Sequence, residues 1–597
     1  MAYPSIFRQG RNIYKLFNRA FGRHKAVLVF LFGLSFLNGF FEGIGISAII
    51  PFLSFIGQNR LGNVDLISRS IEKFFIFLHV PFTLKFLLLF IMVLIFLKAA
   101  VLFLTNFITS VVTANYEKDL RNDLFRLTVE SSWPHLIKQK VGHLDQLLTT
   151  YVSSGSGLLF GVVSAALIFT KMIVYIFVAL NLSVIITLFA LALGLLTFLV
   201  FKPLFLKNRI LSRQLAETYK ELAHFVNEHI IGMKTIKAMF ADAPVVQRGR
   251  DSFAKFKNLN ISLSLAKNIT TASIQPIGFI FIIAVFSFSY KTNLFNLASF
   301  AVIVYAINQI FSQIQIGQAQ LHSMISGAPY LKSLLDYKET AASHKEAGRG
   351  GKKFVFKNSL DFTDVNFGYK LGRETIKQIN FSVKPGQMVG IIGPSGAGKT
   401  TVVDLLLRLF QPDVGRILLD GVDINDIGLK QWRANIGYVA QDIFLLNDTI
   451  ENNIRFYNNR LTLAEIEKFS KVANIFEFIS GLPDKFSTVV GERGILLSGG
   501  QRQRIILARV LARNPSLLIL DEATSALDNE SERQIQEAIE GLKGKITVLT
   551  IAHRLSTVRR CDLLLILKDG KIIEQGEPER LLKDKESYYN EMYNLKV

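Results

Sequence analysis

The sequence predicts a polytopic α-helical membrane domain followed by an α/β domain of the phosphate-loop NTPase type. Six apolar runs and a strong positive charge bias in the first half predict the membrane domain. A glycine-rich loop between a strand pattern and a helix pattern predicts the NTPase domain. The expected boundaries are 1–337 for the membrane domain, 338–352 for a linker and 353–597 for the nucleotide-binding domain.

Each apolar run is long enough to cross a bilayer, which takes about 20 residues in a helix. The first run exceeds the apolar part of a signal peptide, and no small-residue cleavage site follows it, so we expect a retained span. The six predicted spans are Ala26–Ile56, Phe86–Val112, Leu158–Leu180, Leu182–Val200, Ile269–Tyr290 and Leu294–Ile316.

The charge distribution predicts the topology of these spans. Residues 1–350 hold 34 basic and 16 acidic residues, whereas residues 351–597 hold 34 and 31. The net charge of +21 is therefore explained by cytosolic loops that face anionic lipid head groups, and not by a nucleic-acid surface. The N-terminus, the 113–157 loop and the 201–268 loop are predicted to be cytosolic. An even number of spans then places the second domain in the cytosol, with the chain in a bacterial inner or plasma membrane.

Composition excludes two other classes of protein. A chain with 50% hydrophobic residues is too apolar to be disordered. The single cysteine, Cys561, excludes a disulfide scaffold and a paired-cysteine metal site. Charged and apolar residues alternate at helical spacing in Tyr116–Glu130 and Asn208–Ile231, so we expect the spans to continue into the cytosol as helices. The glycine-containing stretch Lys338–Lys353 has no apolar pattern, which predicts a linker.

A phosphate-binding loop is predicted in the second domain. The β-rich run Gln387–Ile392 leads into the glycine-rich segment Gly393–Thr400, and a helix pattern continues to Leu409. Glycines let backbone N–H groups turn toward phosphate oxygens, and the helix N-terminus favours negative charge. Lys399 is expected to contact the β- and γ-phosphates of a nucleotide, and the Thr400 hydroxyl is expected to ligate Mg²⁺.

A second motif supports this prediction. The apolar strand Ser516–Leu520 ends in Asp521 and Glu522. A parallel strand next to the first would bring Asp521 near the metal and Glu522 near the γ-phosphate, where it can act as general base. The alternative is an acidic pair that caps the following helix.

With the segment Leu497–Gln501 (LSGGQ), the second domain resembles the ATP-binding cassette of ABC proteins. The resemblance implies that this α/β domain carries a helical subdomain. The resemblance implies that Tyr369 stacks on adenine, that Gln441 senses Mg²⁺, and that His553 contacts the γ-phosphate. It also identifies Thr488–Gly494 with a cross-linking loop of exporters and Ser525–Asp528 with the loop that joins two cassettes.

The resemblance implies a complete ATP site. The residues expected to bind ATP are Tyr369, Gly393, Ser395, Gly396, Gly398, Lys399, Thr400, Thr401, Ser498, Gly499, Gly500 and Gln501. The residues expected to ligate Mg²⁺ are Thr400, Gln441 and Asp521. The residues expected to act in hydrolysis are Glu522, His553 and Gln441.

In this family the signature residues bind ATP held by a second cassette, so a chain with one cassette is a half-transporter that must pair. Because every motif is intact, including Glu522, we expect a homodimer, while a heterodimer stays open. The membrane domain then resembles the six-span exporter type. Its inner loops are expected to end in coupling helices at Trp133–Gln139 and Phe240–Gln247, where plain helix–loop turns are the alternative.

Three charged residues, Glu42, Lys98 and Lys171, lie near the middle of predicted spans. A charge there costs roughly 3 kcal/mol on insertion scales, so each should face a cavity or a partner. Glu42 can pair with a lysine as a structural link, or the lysines can extend to the interface. The third hypothesis is a cavity with surplus positive charge that receives an anionic head group.

The first span offers a hint about the substrate. The segment Phe41–Ile46 (FEGIGI), followed by Pro51 and Phe52, resembles exporters of lipid-linked oligosaccharides and other glycolipids. We therefore predict an ATP-driven flippase for an amphipathic, anionic, lipid-linked substrate. A multidrug, peptide or lipid A-type exporter is the alternative within transport. An ATP-gated channel or regulator is a different class, which the intact Glu522 and His553 argue against.

Overall fold

The structure is a computed structural model that describes residues 15–56, 66–139, 141–289, 297–346, 348, 350–370, 372–522, 529–552 and 554–594. The chain divides into two compact units, of which the first ends at Lys345 and the second begins at Glu346, except that Ser132–Pro134 group with the second unit.

The first unit is α-helical throughout its long elements. Its helices in chain order are α1 (Lys25–Ser47), α2 (Ile49–Ile56), α3 (Leu66–Phe77), α4 (Leu84–Val129), α5 (Trp133–Leu136), α6 (Val141–Gln146), α7 (Val152–Leu182), α8 (Val184–Ile231), α9 (Met233–Ala238), α10 (Asp242–Ser289) and α11 (Leu297–Ser343). Helix α11 packs against α7, α8 and α10, and α1 packs against α4 and α7.

Within the described residues, six helical segments are long and apolar enough to cross a membrane, which confirms the six predicted spans. Many of their large apolar side chains are exposed, such as Phe103 at 72% on α4. Water would disfavour such surfaces, whereas lipid tails accommodate them. Helix α4 has 46 residues, or about 69 Å at 1.5 Å per residue. It is therefore far longer than the hydrocarbon core, and the expected continuation of the spans as helices is confirmed.

The first predicted span is interrupted by a break between α1 and α2. Pro51 has no backbone N–H, so it cannot donate the helical hydrogen bond to the carbonyl of Ser47, where α1 ends.

The turn between the third and fourth spans lies at Ser183 rather than at Asn181, the one residue between the two predicted spans. There the Ser183 side chain caps α8 by accepting a hydrogen bond from the N–H of Ile186 at 3.4 Å.

The sequence predicts two coupling helices in the inner loops, and the structure has a helix at one of the two predicted positions. Helix α5 begins at Trp133, as expected for the first coupling segment. The second predicted segment, Phe240–Gln247, instead spans a turn and the start of α10. Phe240 has φ 52°, which a right-handed helix cannot contain, and the separate short helix is α9, which ends at Ala238, before the predicted segment begins. Helix α11 continues to Ser343, so the first six residues of the predicted linker are helical.

The second unit contains two sheets. The strands are β1 (Leu360–Phe367), β2 (Ile376–Val383), β3 (Met388–Ile392), β4 (Val414–Leu419), β5 (Val422–Asp423), β6 (Ile436–Val439), β7 (Leu517–Asp521), β8 (Thr547–Ile551), β9 (Leu563–Lys568) and β10 (Lys571–Gly576). One sheet is antiparallel with the order β2-β1-β4-β5, and the other has the order β10-β9-β3-β8-β7-β6. In the second sheet only the β10–β9 pair is antiparallel among the described strands.

The strand order corrects one expectation. The strand that ends in Asp521 does not lie next to β3, because β8 lies between β3 and β7. All five residues of β3, β7 and β8 are buried. Covered on both faces, these strands are continuous apolar runs, and their sequences carry no signal that distinguishes neighbours.

The helices of the second unit are α12 (Lys399–Leu406), α13 (Leu429–Ala434), α14 (Ile450–Arg455), α15 (Leu463–Val472), α16 (Phe476–Ser480), α17 (Gly499–Leu511), α18 (Asn529–Glu540), α19 (Leu555–Val558), α20 (Pro578–Lys583) and α21 (Tyr588–Asn594). Helices α14 and α15 pack on α17, and α16 packs on α15. This group is the predicted helical subdomain, and it carries the Leu497–Gln501 segment.

Candidate nucleotide-binding site

The glycine-rich loop joins β3 to α12 as predicted. Gly393 has φ 151°, and a Cβ atom there would lie 2.0 Å from the carbonyl oxygen of Leu567, so only glycine fits. Gly398 has φ 102° and is the N-cap of α12, where no side chain caps the helix. The first N–H groups of α12 are therefore available for an anion. A Cβ at Gly396 would meet no atom within 4 Å, so the loop is open on this side.

Lys399 lies inside this loop with only 6% of its surface exposed. Its Nζ donates hydrogen bonds to the carbonyl oxygens of Gly393 at 2.9 Å and Pro394 at 3.0 Å. Burial lowers the pKa of the ammonium, whereas the carboxylates of Glu522 and Asp521 act in the opposite direction. The ammonium is thus held at the loop by oxygen acceptors, the same type of atom that a phosphate presents.

The two acidic residues at the end of β7 lie in different environments. Asp521 is 3% exposed, and burial, together with the charges of Glu522 and Asp404, raises its pKa to about 6. Glu522 has φ 50°, and its N–H donates to the carbonyl of Ile551 at 3.1 Å. Its Oε2 accepts a hydrogen bond from Nε2 of Gln441 at 2.7 Å. The structure therefore brings together Gln441 and Glu522, which are 81 residues apart in the chain.

Tyr369 lies beside α12. Its hydroxyl donates to Oδ2 of Asp404 at 2.9 Å and lies 3.2 Å from Oγ1 of Thr401. Burial raises the pKa of Tyr369 to about 12, yet 47% of the residue stays exposed. The ring packs edge-to-face with Phe367 and Phe410. A fixed, half-exposed ring of this kind can stack on a flat base.

The predicted signature segment forms the N-terminus of α17. Ser498 and Gln501 make a capping box, in which the Gln501 N–H donates to the Ser498 hydroxyl and the Ser498 N–H donates to Oε1 of Gln501. Gly500 lies against α18, because a Cβ there would come within 2.3 Å of Oγ of Ser531. The serine and the glutamine thus shape the helix start, and the glycine permits close packing.

Other predicted residues are placed as follows. Ser395 and Thr400 are exposed on the glycine-rich loop and at the start of α12, while Thr401 is buried. Gly499 is the first residue of α17. His553 and Ser525–Asp528 lie outside the described residues.

Two residues that the sequence analysis missed contribute to the site. Asp404 binds the Tyr369 hydroxyl and adds negative charge near Asp521. Its position five residues after Lys399 on one helix could have been noticed. Tyr438 on β6 hydrogen-bonds to the side chain of Asp521, and burial raises its pKa. Only the pairing of β6 with β7 places Tyr438 there, so no local signal predicts it.

The three membrane charges form one cluster in the first unit. Lys98 Nζ lies 3.1 Å from Oε1 of Glu42, and Lys171 Nζ lies 2.9 Å from Oε2. The Tyr175 hydroxyl also donates to Oε1 of Glu42. One carboxylate thus bridges α1, α4 and α7. This geometry favours the hypothesis that Glu42 forms a structural link, and it pairs Glu42 with both lysines instead of one. The cluster of two lysines and one carboxylate keeps one net positive charge.

Comparisons with known proteins agree with both units. The ABC transporter transmembrane region family matches residues 28–316, and the ABC transporter family model matches residues 376–525. The heterocyst differentiation ATP-binding protein HepA of Nostoc is 30% identical over 94% of this chain and 92% of its own length. An ATP-dependent lipid A-core flippase of Alcanivorax borkumensis is 35% identical over 65% of this chain and 67% of its own length.

A solved structure shows the same fold. A bacterial Atm1-family ABC exporter with ATP bound superposes with a TM-score of 0.77 at 24% identity, covering 97% of this chain and 99% of its own. The predicted fold class, membrane location and ATP-dependent activity are confirmed. With one membrane domain and one cassette, the chain has the half-transporter form, which implies dimerisation. The chain belongs to the ABC transporter family, as a multi-pass inner-membrane protein that couples ATP hydrolysis in a cytosolic cassette to transport.

Proposed function

We propose that this protein is an ATP-driven flippase that moves an amphipathic, anionic, lipid-linked substrate from the inner to the outer side of the membrane. The observation that carries this proposal is the juxtaposition of Lys399, Asp521, Glu522 and Gln441 in a cassette fused to six spans. The lipid A-core flippase relative and the glycolipid-type segment in the first span support a lipid substrate. A glycolipid, a lipid-linked oligosaccharide and a lipid A-type molecule all satisfy this description.

The proposed nucleotide contacts follow from the geometry of the loop. Backbone N–H groups of Ser395, Gly396, Gly398 and the start of α12 bind phosphate oxygens, and Lys399 exchanges its carbonyl partners for them. Tyr369 stacks on the base. Glu522 takes the proton of the attacking water, while its hydrogen bond from Gln441 fixes the direction of the carboxylate. His553 is proposed to contact the γ-phosphate.

The acidic end of β7 fits a divalent cation. Asp521 is a buried carboxylate whose charged form is disfavoured by its surroundings, and a bound cation would remove that penalty. Thr400, Gln441 and Asp521 would hold Mg²⁺, which neutralises phosphate charge when bound.

The signature residues are proposed to act across two chains. Ser498, Gly499, Gly500 and Gln501 at the start of α17 would bind the γ-phosphate of ATP held by the second cassette. We propose a homodimer, because the described motif residues of this chain are complete. The mass of the purified complex tests this: two copies of a 67.1 kDa chain support it, and co-purification with a different half-transporter contradicts it.

Transport in reconstituted vesicles tests the function. Purified protein in liposomes should move a fluorescent anionic glycolipid to the far leaflet in the presence of ATP and Mg²⁺, and Glu522→Gln should abolish the movement. Export of cationic drugs without lipid movement would support the drug-exporter alternative instead. Substrate flux that persists with Glu522→Gln and ATP would support a channel or regulator, because a gate needs binding but not turnover.

A further inference from the structure

A second polar site lies in the membrane unit, away from the Glu42 cluster. Helices α8, α10 and α11 line a cavity of about 270 Å³ that is open on one side, where Ser264, Lys267 and Ser323 are exposed. The polar residues that line it are Asn208, Ser264, Lys267, His322, Ser323 and Ser326. Drug-sized ligands occupy cavities of about 300–1,000 Å³, so this one suits a small head group.

Buried side chains at the cavity are joined by a series of hydrogen bonds. His322 is 1% exposed, and its Nε2 lies 3.0 Å from Oγ1 of Thr270. The Thr270 hydroxyl donates to the carbonyl of Lys267 at 2.7 Å, so it accepts from Nε2–H. The other ring nitrogen of His322 is then an acceptor for Nδ2 of Asn208. Phe205 stacks on the ring and fixes its plane.

One polar atom of this hydrogen-bond network has no hydrogen-bond partner among the described residues. Asn208 is 1% exposed, and its Oδ1 has no hydrogen-bond partner among the residues that the structure describes. A buried acceptor without a donor costs free energy, and Asn208 lines the cavity, so a rotation of its side chain that presents Oδ1 to a hydroxyl donor in the cavity would be stabilised. One turn before His322, the buried amide of Gln318 likewise has neither atom paired within the described chain.

The cavity also carries a positive charge without a counterion. Lys267 forms no ion pair with any carboxylate in the described part of the chain. The three helices that line the cavity contain no acidic residue over residues 184–216, 252–289 and 297–335. By contrast, the lysines of the Glu42 cluster share one carboxylate. Lys267 is therefore the cation better able to bind an external anion.

The cavity lies at the cytosolic end of three spans. Asn208 is eight residues beyond Val200, where the apolar run of α8 ends, which corresponds to about 12 Å of helix. Lys267 is two residues before the apolar run of α10. Lys267 is thus about 3 Å from its apolar run, within the head-group layer of the inner leaflet, which is roughly 5–8 Å thick, and Asn208 lies at the cytosolic side of that layer.

We propose that this cavity binds the phosphate-ester head group of an anionic lipid of the inner leaflet. Lys267 and the hydroxyls of Ser264 and Ser323 donate to the phosphate oxygens, and a hydroxyl of the head group donates to Oδ1 of Asn208. The ligand class is thus a phosphate ester that also carries a free hydroxyl. Binding at this site is measured in the absence of ATP, so its failure can be told apart from a failure of the proposed transport activity, which is measured as lipid movement with ATP.

Competition binding to the full-length protein in a non-ionic detergent tests the site. The probe is phosphatidylglycerol with a fluorescent acyl chain, displaced by unlabelled phosphatidylglycerol or by phosphatidylcholine, which has no hydroxyl and no net charge. We expect phosphatidylglycerol to compete about tenfold better. Lys267→Gln should remove this preference, and Lys267→Arg should retain most of it. The matched control is Lys257→Gln, which removes an exposed lysine of the same helix.

The outcomes separate the sources of the ligand and can overturn the proposal. Competition by soluble glycerol 3-phosphate at the same concentrations would assign the site to a soluble phosphate ester, whereas competition by the lipid alone supports a bilayer lipid. Equal affinities of Lys267→Gln and Lys257→Gln would overturn the proposal. Equal competition by the two lipids would also overturn it. Ser323→Ala, at an exposed position, gives a second variant that should fold if Lys267→Gln does not.

Discussion

While no cation is bound, the charged carboxylate of Asp521 should lower the free energy of unfolding of the cassette. Asp521→Asn should therefore raise this free energy. Burial and the charges of Glu522 and Asp404 raise the pKa of Asp521 to about 6, against an ordinary value of 3.8. A shift of this size corresponds to about 3 kcal/mol, since one pKa unit is 1.36 kcal/mol. Asparagine keeps the size of the side chain and can still accept the hydrogen bond from Tyr438, but it carries no charge.

Because the pKa of Asp521 is raised on folding, the stability of the cassette should depend on pH in a defined direction. Between pH 3.8 and about 6 the folded state holds a proton that the unfolded state has lost, so stability falls as pH rises through this window. Above pH 6 the full cost is present, and below pH 4 it is absent. The stability gain of Asp521→Asn should therefore be several degrees in melting temperature at pH 7.5, at about 2–4 °C per kcal/mol for a domain of this size. It should vanish near pH 4.

The assay is thermal unfolding of the full-length protein in detergent, without nucleotide and with a chelator, at pH values from 4 to 8. Asp484→Asn, at an exposed position of the same domain, is the control and should leave the melting temperature unchanged. A gain for Asp521→Asn that is absent at pH 7.5, or that is equal at pH 4 and pH 7.5, would refute the reasoning. Mg²⁺ with ATP should stabilise the parent protein more than the variant, because cation binding removes the same penalty.

Three further predictions concern hydrolysis, the signature helix and the membrane cluster. Glu522→Gln keeps the hydrogen-bond acceptor but not the base, so phosphate release should fall about 10²–10⁴-fold while labelled ATP still binds; near-normal turnover would contradict the general-base role. Gly500→Ala should destabilise the cassette by about 1–3 kcal/mol in thermal unfolding, because its methyl group overlaps α18; an unchanged melting temperature would show that the packing is looser. Glu42→Gln should cost about 3–5 kcal/mol by leaving two lysines unpaired, and Lys98→Met with Lys171→Met in the same chain should restore much of it. Unchanged transport by the double lysine variant with Glu42 intact would contradict the head-group hypothesis for these lysines.

Local patterns predicted the nucleotide site well because its chemistry is encoded in short segments. The glycine-rich loop follows β3 directly and leads into Lys399 at the start of α12, and Asp521–Glu522 stand at the end of β7, so their residue types alone indicate where the chain turns. The order of the strands could not be predicted in the same way. Strands β3, β7 and β8 are equally apolar, and their neighbours are decided by packing of both faces.

The incorrect prediction of a coupling helix at Phe240–Gln247 has a local cause. Phe240 adopts φ 52°, a conformation that glycine or asparagine usually signals, so the sequence carried no sign that a helix ends there. The cluster around Glu42 shows the opposite case. Its charges were noticed because they are costly in a membrane, but their pairing depends on three helices that are distant in sequence, and Tyr175 gave no signal of its own.

The pairing around Glu42 has a consequence for the transport cycle. Separating a buried charge from its partner leaves an uncompensated charge, which costs several kcal/mol, and the cost is larger where no water is near. Because Glu42 on α1 contacts Lys98 on α4 and Lys171 on α7, motion of one of these helices away from the others would incur that cost. Helices α1, α4 and α7 should therefore move together when the membrane domain changes conformation. No ion pair ties α8 and α10 to that group among the described residues, whereas α11, the third helix that lines the cavity of Lys267, is linked to α4 by Lys338 and Asp123 at 2.7 Å. Motion of α8 and α10 relative to α11 should therefore change the shape of this cavity without breaking an ion pair of the Glu42 cluster.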